Sequence, residues 1–252
     1  MTGAAAGDPP AGGPPPRRPT ALVTGASRGI GRAIARRLAA THDVVAVARS
    51  ADELAALARE VGGVEAVVAD VGDPHAGAAL AAALGDRPVD VLVHNAGVGV
   101  LVPLLDLAPD DWRRMIDVNV NALYSVTRAV LPEMVARGRG HVVLVGSIAG
   151  RSAFVGGAAY AATKAFGMSF AESLLLEVRD AGVKVSVVSP GSVKTGFSGR
   201  EKPGGGGPGS GPDWRLLPED VAEAVAYAVA TPPGVLVHRI EVRALSPKRA
   251  RS

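Results

Sequence analysis

The strongest constraint on the fold is a regular alternation, from Thr20 onward, between short runs of β-branched residues and alanine-rich helical patterns. Strands are predicted at 21–25, 43–48, 64–70, 89–95, 141–147, 183–190 and 235–242. Helices are predicted between them, at 30–40, 51–61, 75–84, 109–137, 159–181 and 218–230. Consecutive strands joined by helices run parallel, and the right-handed crossover rule places helices on both faces of the sheet. The sequence therefore predicts a single α/β domain with a doubly wound, seven-stranded parallel sheet.

The length of 252 residues suits one domain, which we expect to span residues 20–245. The preceding residues 1–19 are rich in proline, glycine and alanine and are expected to be a disordered tail, since they lack the pattern of a signal peptide. Residues 246–252 are expected to form a basic C-terminal tail. Apolar residues make up 48% of the chain and aromatic residues only 4%, so the core must be built mainly from alanine, valine, leucine and isoleucine.

Several classes of function are disfavoured. There is no cysteine, which excludes disulfides and thiol catalysis and makes a cytoplasmic location the expectation. The five histidines form no recognisable ligand pair, so no metal is predicted. The net charge of +3 arises largely near the termini, which indicates solvated tails rather than a nucleic-acid surface. The apolar stretches are too short to predict a membrane helix.

A glycine-rich loop, Thr24-Gly25-Ala26-Ser27-Arg28-Gly29-Ile30-Gly31, connects the first strand to the first helix. Gly25 permits a tight turn, Gly29 allows the backbone to approach a pyrophosphate, and Gly31 allows close packing of helix on strand. The N-terminus of the helix presents free N–H groups to phosphate charge. Because the loop lies between a strand and a helix at the start of a β/α series, it predicts a dinucleotide site in a Rossmann-type fold.

The cofactor is expected to be NADP(H). A carboxylate after the second strand would favour NAD, but this strand is followed by Arg49 and Ser50, and the glycine loop adds Arg28. Guanidinium groups pair well with a 2′-phosphate. After the third strand, Asp70 precedes Val71 and could accept from the adenine amino group, or it could cap a turn. The fourth strand ends in Asn95-Ala96-Gly97, where small residues let the main chain pass close to a ribose.

A set of motifs follows in order along residues 20–242: TGASRGIG at 24–31, Asp70-Val71, NAG at 95–97, Asn119 in DVNV, Ser147, YAATK at 160–164 and PGSVKT at 190–195. Together these motifs resemble those of the short-chain dehydrogenase/reductase family. The resemblance implies a catalytic tetrad of Asn119, Ser147, Tyr160 and Lys164. It also implies that Pro190, Gly191, Val193 and Thr195 hold the nicotinamide, that Lys164 contacts the nicotinamide ribose, and that Asn119 positions a water. One departure from the family is His94, where the family usually has asparagine.

The chemistry of these side chains agrees with their implied roles. Tyr160 and Lys164 are four residues apart, so on a helix they share a face. A neighbouring ammonium group favours the phenolate, so we expect Lys164 to lower the pKa of Tyr160 from its usual value near 10. Ser147 would donate to the substrate oxygen as negative charge develops there.

The predicted reaction is interconversion of a ketone and a secondary alcohol, with Tyr160 as general acid/base. Two alternatives stay open: reduction of a C=N bond on the same scaffold, and a nucleotide-binding regulator without turnover. A hydrophobic carbonyl substrate is expected, because the residues predicted around the pocket are small or apolar, namely Val98, Gly99, Val100, Ile148, Ala149, Phe154, Val155, Phe197 and Trp214. The glycine-rich stretch at about 196–214 could be a tolerated insertion or a substrate lid. The resemblance also implies a homotetramer or dimer, formed through the helices at 109–137 and 159–181.

Overall fold

The computed structural model describes residues 17–197 and 214–245. Within them, seven parallel strands form one sheet in the order β3-β2-β1-β4-β5-β6-β7. The strands are β1 Thr20–Thr24, β2 Asp43–Ala48, β3 Val64–Val68, β4 Val91–His94, β5 Gly140–Val145, β6 Val183–Pro190 and β7 Arg239–Val242. The predicted fold class is confirmed. The predicted tail at 246–252, residues 1–16 of the predicted N-terminal tail and most of the glycine-rich stretch lie outside the described residues. Residues 17–19 of that tail are described, and Arg17 pairs with Asp90 at 2.7 Å.

Helices cover both faces of this sheet. They are α1 Gly29–Leu38, α2 Ala51–Glu60, α3 Ala76–Leu84, α4 Pro109–Ile116, α5 Ala122–Ala136, α6 Ala158–Val178 and α7 Pro218–Val229. One core cluster joins α3, α5 and α6 to one face of the sheet, and a second joins α1, α2 and α7 to the other face. The interior strand β2 is buried toward both layers, which explains its run of valine and alanine residues.

The strand order fixes where a ligand can bind. The chain runs outward from β1 through β2 to β3, and then returns to the other side of β1 to place β4. The loops after β1 and β4 therefore diverge to opposite faces of the sheet, which opens a crevice at the carboxyl ends of the strands.

Two predicted elements were wrong in detail. The helix predicted at 109–137 is divided into α4 and α5 by one turn of π-helix at Asp117–Asn121. The last strand, predicted from 235, begins only at Arg239, and Val235 instead closes a turn in which its N–H donates to the Pro232 carbonyl (2.9 Å).

Candidate active site

A cleft of about 1100 Å³ lies at the carboxyl ends of the strands. Every residue predicted to bind the cofactor lines this cleft, as do Ser147, Tyr160 and Lys164. The sequence-predicted cofactor residues that it brings together are Gly25, Ser27, Arg28, Gly29, Ile30, Gly31, Arg49, Ser50, Asp70, Val71, Asn95, Ala96, Gly97, Pro190, Gly191, Val193 and Thr195. The β/α topology alone is sufficient to gather them, because each follows the end of a strand.

The glycine loop has the geometry of a phosphate cradle. Gly25 and Gly29 adopt left-handed backbone conformations, with φ of 67° and 54°, which side chains disfavour. A Cβ on Gly31 would lie 2.2 Å from the Gly25 carbonyl oxygen, so only glycine lets α1 pack this closely on the turn. Within the described chain, α1 has no side-chain N-cap and no acid in its first turn. Its first N–H groups are therefore available to a pyrophosphate, and the loop fits a dinucleotide.

Asn95 and Thr24 fix the ends of β1 and β4 against each other. The Asn95 side-chain amide donates to the carbonyl oxygens of Thr24 (2.9 Å) and Gly25 (3.2 Å). The Thr24 hydroxyl accepts from the backbone N–H groups of Asn95 and Ala96, each at 3.1 Å. The Asn95 side chain thus supports the glycine loop from behind.

The other end of the cleft, where β2 and β3 end, is basic. No carboxylate follows β2 directly, since Arg49 and Ser50 occupy these positions. Asp70 does cap a turn, because its Oδ1 accepts from the Gly72 backbone N–H at 3.0 Å, and the same atom accepts from Arg114 Nη2 at 2.9 Å. Arg114 and Glu53 also line the cleft, and neither was singled out from the sequence.

At the opposite end of the cleft, α6 carries Tyr160 and Lys164 beneath the loop after β5. The Lys164 ammonium nitrogen lies 5.9 Å from the centroid of the Tyr160 ring and donates to the Val145 carbonyl oxygen at 3.3 Å. Ser147 begins the turn after β5, where its hydroxyl accepts from the Ala149 N–H at 3.1 Å. Ser147, Tyr160 and Lys164 line the same end of the cleft.

Burial dominates the electrostatics of this group. It raises the pKa of Tyr160, although a hydrogen bond with Ser147 acts in the opposite direction. It also lowers the pKa of Lys164 to about 8. The expected lowering of the Tyr160 pKa is therefore not found in the protein alone, because desolvation of the phenolate outweighs the hydrogen bond. At neutral pH the phenol is protonated and is placed to act as a proton donor.

Asn119 lies behind the cleft, in the π-helical turn, and does not line it. Its side chain accepts from the Val98 N–H (2.9 Å), donates to the Val98 carbonyl oxygen (2.8 Å) and donates to the Thr163 hydroxyl (3.0 Å). It therefore ties the loop after β4 to the residue that precedes Lys164. The predicted role of positioning a water is untested.

The comparisons with known proteins agree with this geometry. A family model described as short chain dehydrogenase matches residues 19–204. The chain belongs to the short chain dehydrogenase family.

Several short chain dehydrogenases match over nearly the whole chain. NADP-dependent 3-hydroxy acid dehydrogenase YdfG of Salmonella typhi is 39% identical over 234 residues, covering 88% of this chain and 93% of the relative. Sulfoacetaldehyde reductase 2 of Chromohalobacter salexigens is 37% identical over 233 residues, covering 88% and 92%. A closed form of serine dehydrogenase complexed with NADP+ superposes with a TM-score of 0.81 at 34% identity, covering 92% of this chain and all of the other. The NADP(H) prediction agrees with the NADP named for the Salmonella typhi relative and with the NADP+ bound to the serine dehydrogenase.

The substrate side of this short chain dehydrogenase was predicted in part. The predicted residues that line the cleft are Val98, Ile148, Ala149, Phe154 and Phe197, whereas Gly99, Val100, Val155 and Trp214 do not line it. Val155 is 97% exposed. Sequence reasoning missed Leu101, Ser152, Ala153, Ser192 and Arg215. Arg215 directly precedes Leu216, which pairs with Val193 in an isolated parallel bridge, and no local sequence pattern specifies that pairing.

Among residues 17–197 and 214–245, none of the helices combines the length and the apolar character that a bilayer span requires.

Proposed function

We propose that this enzyme uses NADP(H) to interconvert a ketone and a secondary alcohol, with Tyr160 as the general acid/base. The observation that carries the proposal is the placement of Tyr160, Lys164 and Ser147 together at one end of a cleft whose other end is basic. Reduction is the proposed direction, because a phenol whose pKa is raised by burial is protonated at neutral pH.

The proposed roles follow from the positions of the side chains. When bound, the reduced nicotinamide supplies a hydride to the carbonyl carbon. The Tyr160 hydroxyl donates its proton to the carbonyl oxygen, and the Ser147 hydroxyl donates a hydrogen bond to the same oxygen as charge gathers on it. The Lys164 ammonium stabilises the phenolate left on Tyr160 and binds ribose hydroxyls. Pro190, Gly191, Val193 and Thr195 hold the nicotinamide end, and Asn119 fixes the loop and helix that frame the site.

The NADP(H) assignment is supported by the basic end of the cleft and by the relatives. Arg28 and Arg49 line the cleft, and no acid directly follows β2. The relative from Salmonella typhi is named as NADP-dependent, and two solved relatives are complexed with NADP+ or NADP.

A hydrophobic carbonyl substrate is supported by the described lining near Tyr160. Phe197 packs against the Tyr160 ring with centroids 5.6 Å apart, and Leu101, Ile148 and Phe154 line the same cleft. Arg215 also lines the cleft, and one relative is named for 3-hydroxy acids. A substrate panel should therefore include both neutral ketones and 3-oxo acids. Cyclic imines in the same panel test the alternative of C=N reduction.

The deciding experiment compares Tyr160→Phe with Tyr227→Phe, which removes an exposed hydroxyl far along the chain on α7. We expect Tyr160→Phe to bind NADPH as the parent does and to lose turnover, because it lacks the proton donor. Tyr227→Phe should keep both properties. Unchanged turnover of Tyr160→Phe would overturn the mechanism. NADPH binding by the parent without oxidation over the whole panel would favour a non-catalytic regulator.

Self-association and a cytoplasmic location are also proposed. Self-association through α5 and α6 is supported by exposed aromatic side chains on them, Tyr124 at 64% and Phe166 at 43%, since exposed apolar patches mark interaction sites. Light scattering tests this self-association.

The cytoplasmic location is supported by the absence of cysteine from the sequence, which is compatible with a reducing compartment.

A further inference from the structure

An ion cluster lies at the basic end of the cleft and consists of Arg49, Asp70 and Arg114. Arg114 Nη2 donates to Asp70 Oδ1 at 2.9 Å, whereas Arg49 Nη1 lies 4.0 Å from Asp70 Oδ2. One carboxylate thus faces two guanidinium groups, and it makes its hydrogen bond with only one of them. All three residues line the cleft.

The two arginines differ in how firmly they are held. The Arg49 side chain is 61% exposed and the Arg114 side chain 33% exposed. Arg114 lies in a gap that Gly72 provides, since a Cβ at position 72 would lie 2.8 Å from Arg114 Nη1. Arg114 is therefore confined beside Asp70, while Arg49 has room to turn toward a ligand.

The Asp70 carboxylate competes with a ribose 2′-phosphate for the Arg49 guanidinium group. Burial acts to raise the pKa of Asp70, but hydrogen bonds from Arg114 and from the Gly72 backbone hold that pKa below its usual value. The carboxylate is therefore ionised at neutral pH. A free carboxylate at this place would attract Arg49 and repel a 2′-phosphate.

We propose that Arg114 is a positioning residue for cofactor selection, which holds the Asp70 carboxylate and so leaves Arg49 available to a ribose 2′-phosphate. The inference rests on the proposed use of NADP(H). With Arg114 present the cluster carries a net charge of +1, and without it the remaining pair is neutral. Loss of Arg114 should therefore weaken the binding of a cofactor with a 2′-phosphate and should spare one without it.

The test is to measure the dissociation constants of NADPH and NADH, by fluorescence or calorimetry, for Arg114→Leu and Arg113→Leu. Arg113 is the matched control, because it lies on the same helix, carries the same charge and pairs with exposed Asp110 at 2.6 Å. For Arg114→Leu we expect NADPH to bind about fivefold more weakly, the size of a lost exposed ion-pair contribution. NADH binding should change by less than about twofold, and Arg113→Leu should resemble the parent.

Two further variants test whether Arg114 acts through Asp70. In an Asp70→Asn background, Arg114→Leu should no longer change the ratio of the two dissociation constants. Arg114→Lys keeps the charge and should recover part of the preference for NADPH. Equal weakening of both cofactors by Arg114→Leu, an equal effect of Arg113→Leu, or an undiminished effect in Asp70→Asn would each overturn the inference. A parent that binds NADH more tightly than NADPH would instead overturn the proposed cofactor.

Discussion

Lys164 Nζ lies 5.9 Å from the centroid of the Tyr160 ring and donates a hydrogen bond to the Val145 carbonyl oxygen, the last residue of β5. The ammonium group is thereby held between the Tyr160 phenol and the sheet, away from bulk water. Its burial lowers the pKa of Lys164 to about 8, so it is charged at neutral pH but can lose its proton within an accessible range.

The first prediction concerns the pH dependence of ketone reduction. In the proposed mechanism the proton leaves Tyr160 during reduction, and the Lys164 ammonium would stabilise the resulting phenolate only while the pH is below the Lys164 pKa of about 8. We expect kcat/KM for reduction to be level near neutrality and to decline above pH about 8. Alcohol oxidation should instead increase as the pH rises, because it needs the phenolate and burial raises the pKa of Tyr160.

Lys164→Arg provides the check on this assignment. Arginine keeps its charge over the whole accessible pH range. The variant should be slower, since the guanidinium does not fit the same space, but its reduction profile should lack the decline above pH about 8. A decline that persists in Lys164→Arg would assign it to another group.

The second prediction concerns the glycine loop. In Gly31→Ala the new Cβ would lie 2.2 Å from the Gly25 carbonyl oxygen and 2.3 Å from Asn95 Nδ2, so α1 must move away from the turn. We expect NADPH binding to be lost and the free energy of unfolding to fall by about 2 kcal/mol. Calorimetry and urea unfolding measure the two effects. Gly62→Ala is the control, since its Cβ would meet nothing within 4 Å among the described residues.

The succession of strands and helices along the chain and the position of the glycine loop could be predicted from sequence, because both depend on local patterns. A short run with β-branched and apolar residues, a glycine turn and a helix with an apolar face follow one another within residues 20–38. By contrast, the π-helical turn at Asp117–Asn121 accompanies contacts of Asn119 with Val98 and Thr163. These partners are 21 and 44 residues away, so no local pattern specifies them.

Local sequence patterns also do not specify the side-chain contacts and the burial at the two ends of the cleft. The pair between Arg114 and Asp70 joins residues 44 positions apart and was not foreseen. The pKa of Tyr160 was predicted to fall from its spacing to Lys164, but the spacing gives no measure of burial, which raises it. The apolar character of Val155 suggested a place in the pocket, whereas the turn that contains it leaves the side chain in solvent.

The third prediction concerns Asn119. Asn119→Ala removes three hydrogen bonds and leaves polar groups of Val98 and Thr163 without these partners. We expect the free energy of unfolding to fall by about 3 kcal/mol. We also expect kcat to fall, because Thr163 adjoins Lys164. Asn121→Ala is the control from the same π-helical turn, where the side chain is exposed and bonds only to Asp117 at 2.9 Å among the described residues. Equal effects of the two variants would contradict a special role for Asn119.

The fourth prediction concerns His94, the residue that departs from the family pattern. Its Nε2 lies 2.8 Å from the Thr127 hydroxyl, and burial lowers the pKa of His94 from 6.5 to about 4. The unfolded chain therefore binds a proton at this residue more readily than the folded protein does. The contribution of neutral His94 to the free energy of unfolding is present above pH 6.5. It is lost as the pH falls from 6.5 toward about 4, by about 3 kcal/mol in all.

His94→Gln keeps a polar group near Thr127 and removes the titration. Urea unfolding at a series of pH values should give a slope that is smaller than that of the parent by about 1.4 kcal/mol per pH unit between pH 6.5 and about 4. Part of the slope should persist, because burial also lowers the pKa of His141 to about 4. His75→Gln, which removes an exposed imidazole, should retain the parent slope. If His94→Gln retains it as well, the acid sensitivity arises elsewhere, and the histidine at the end of β4 is only a packing residue.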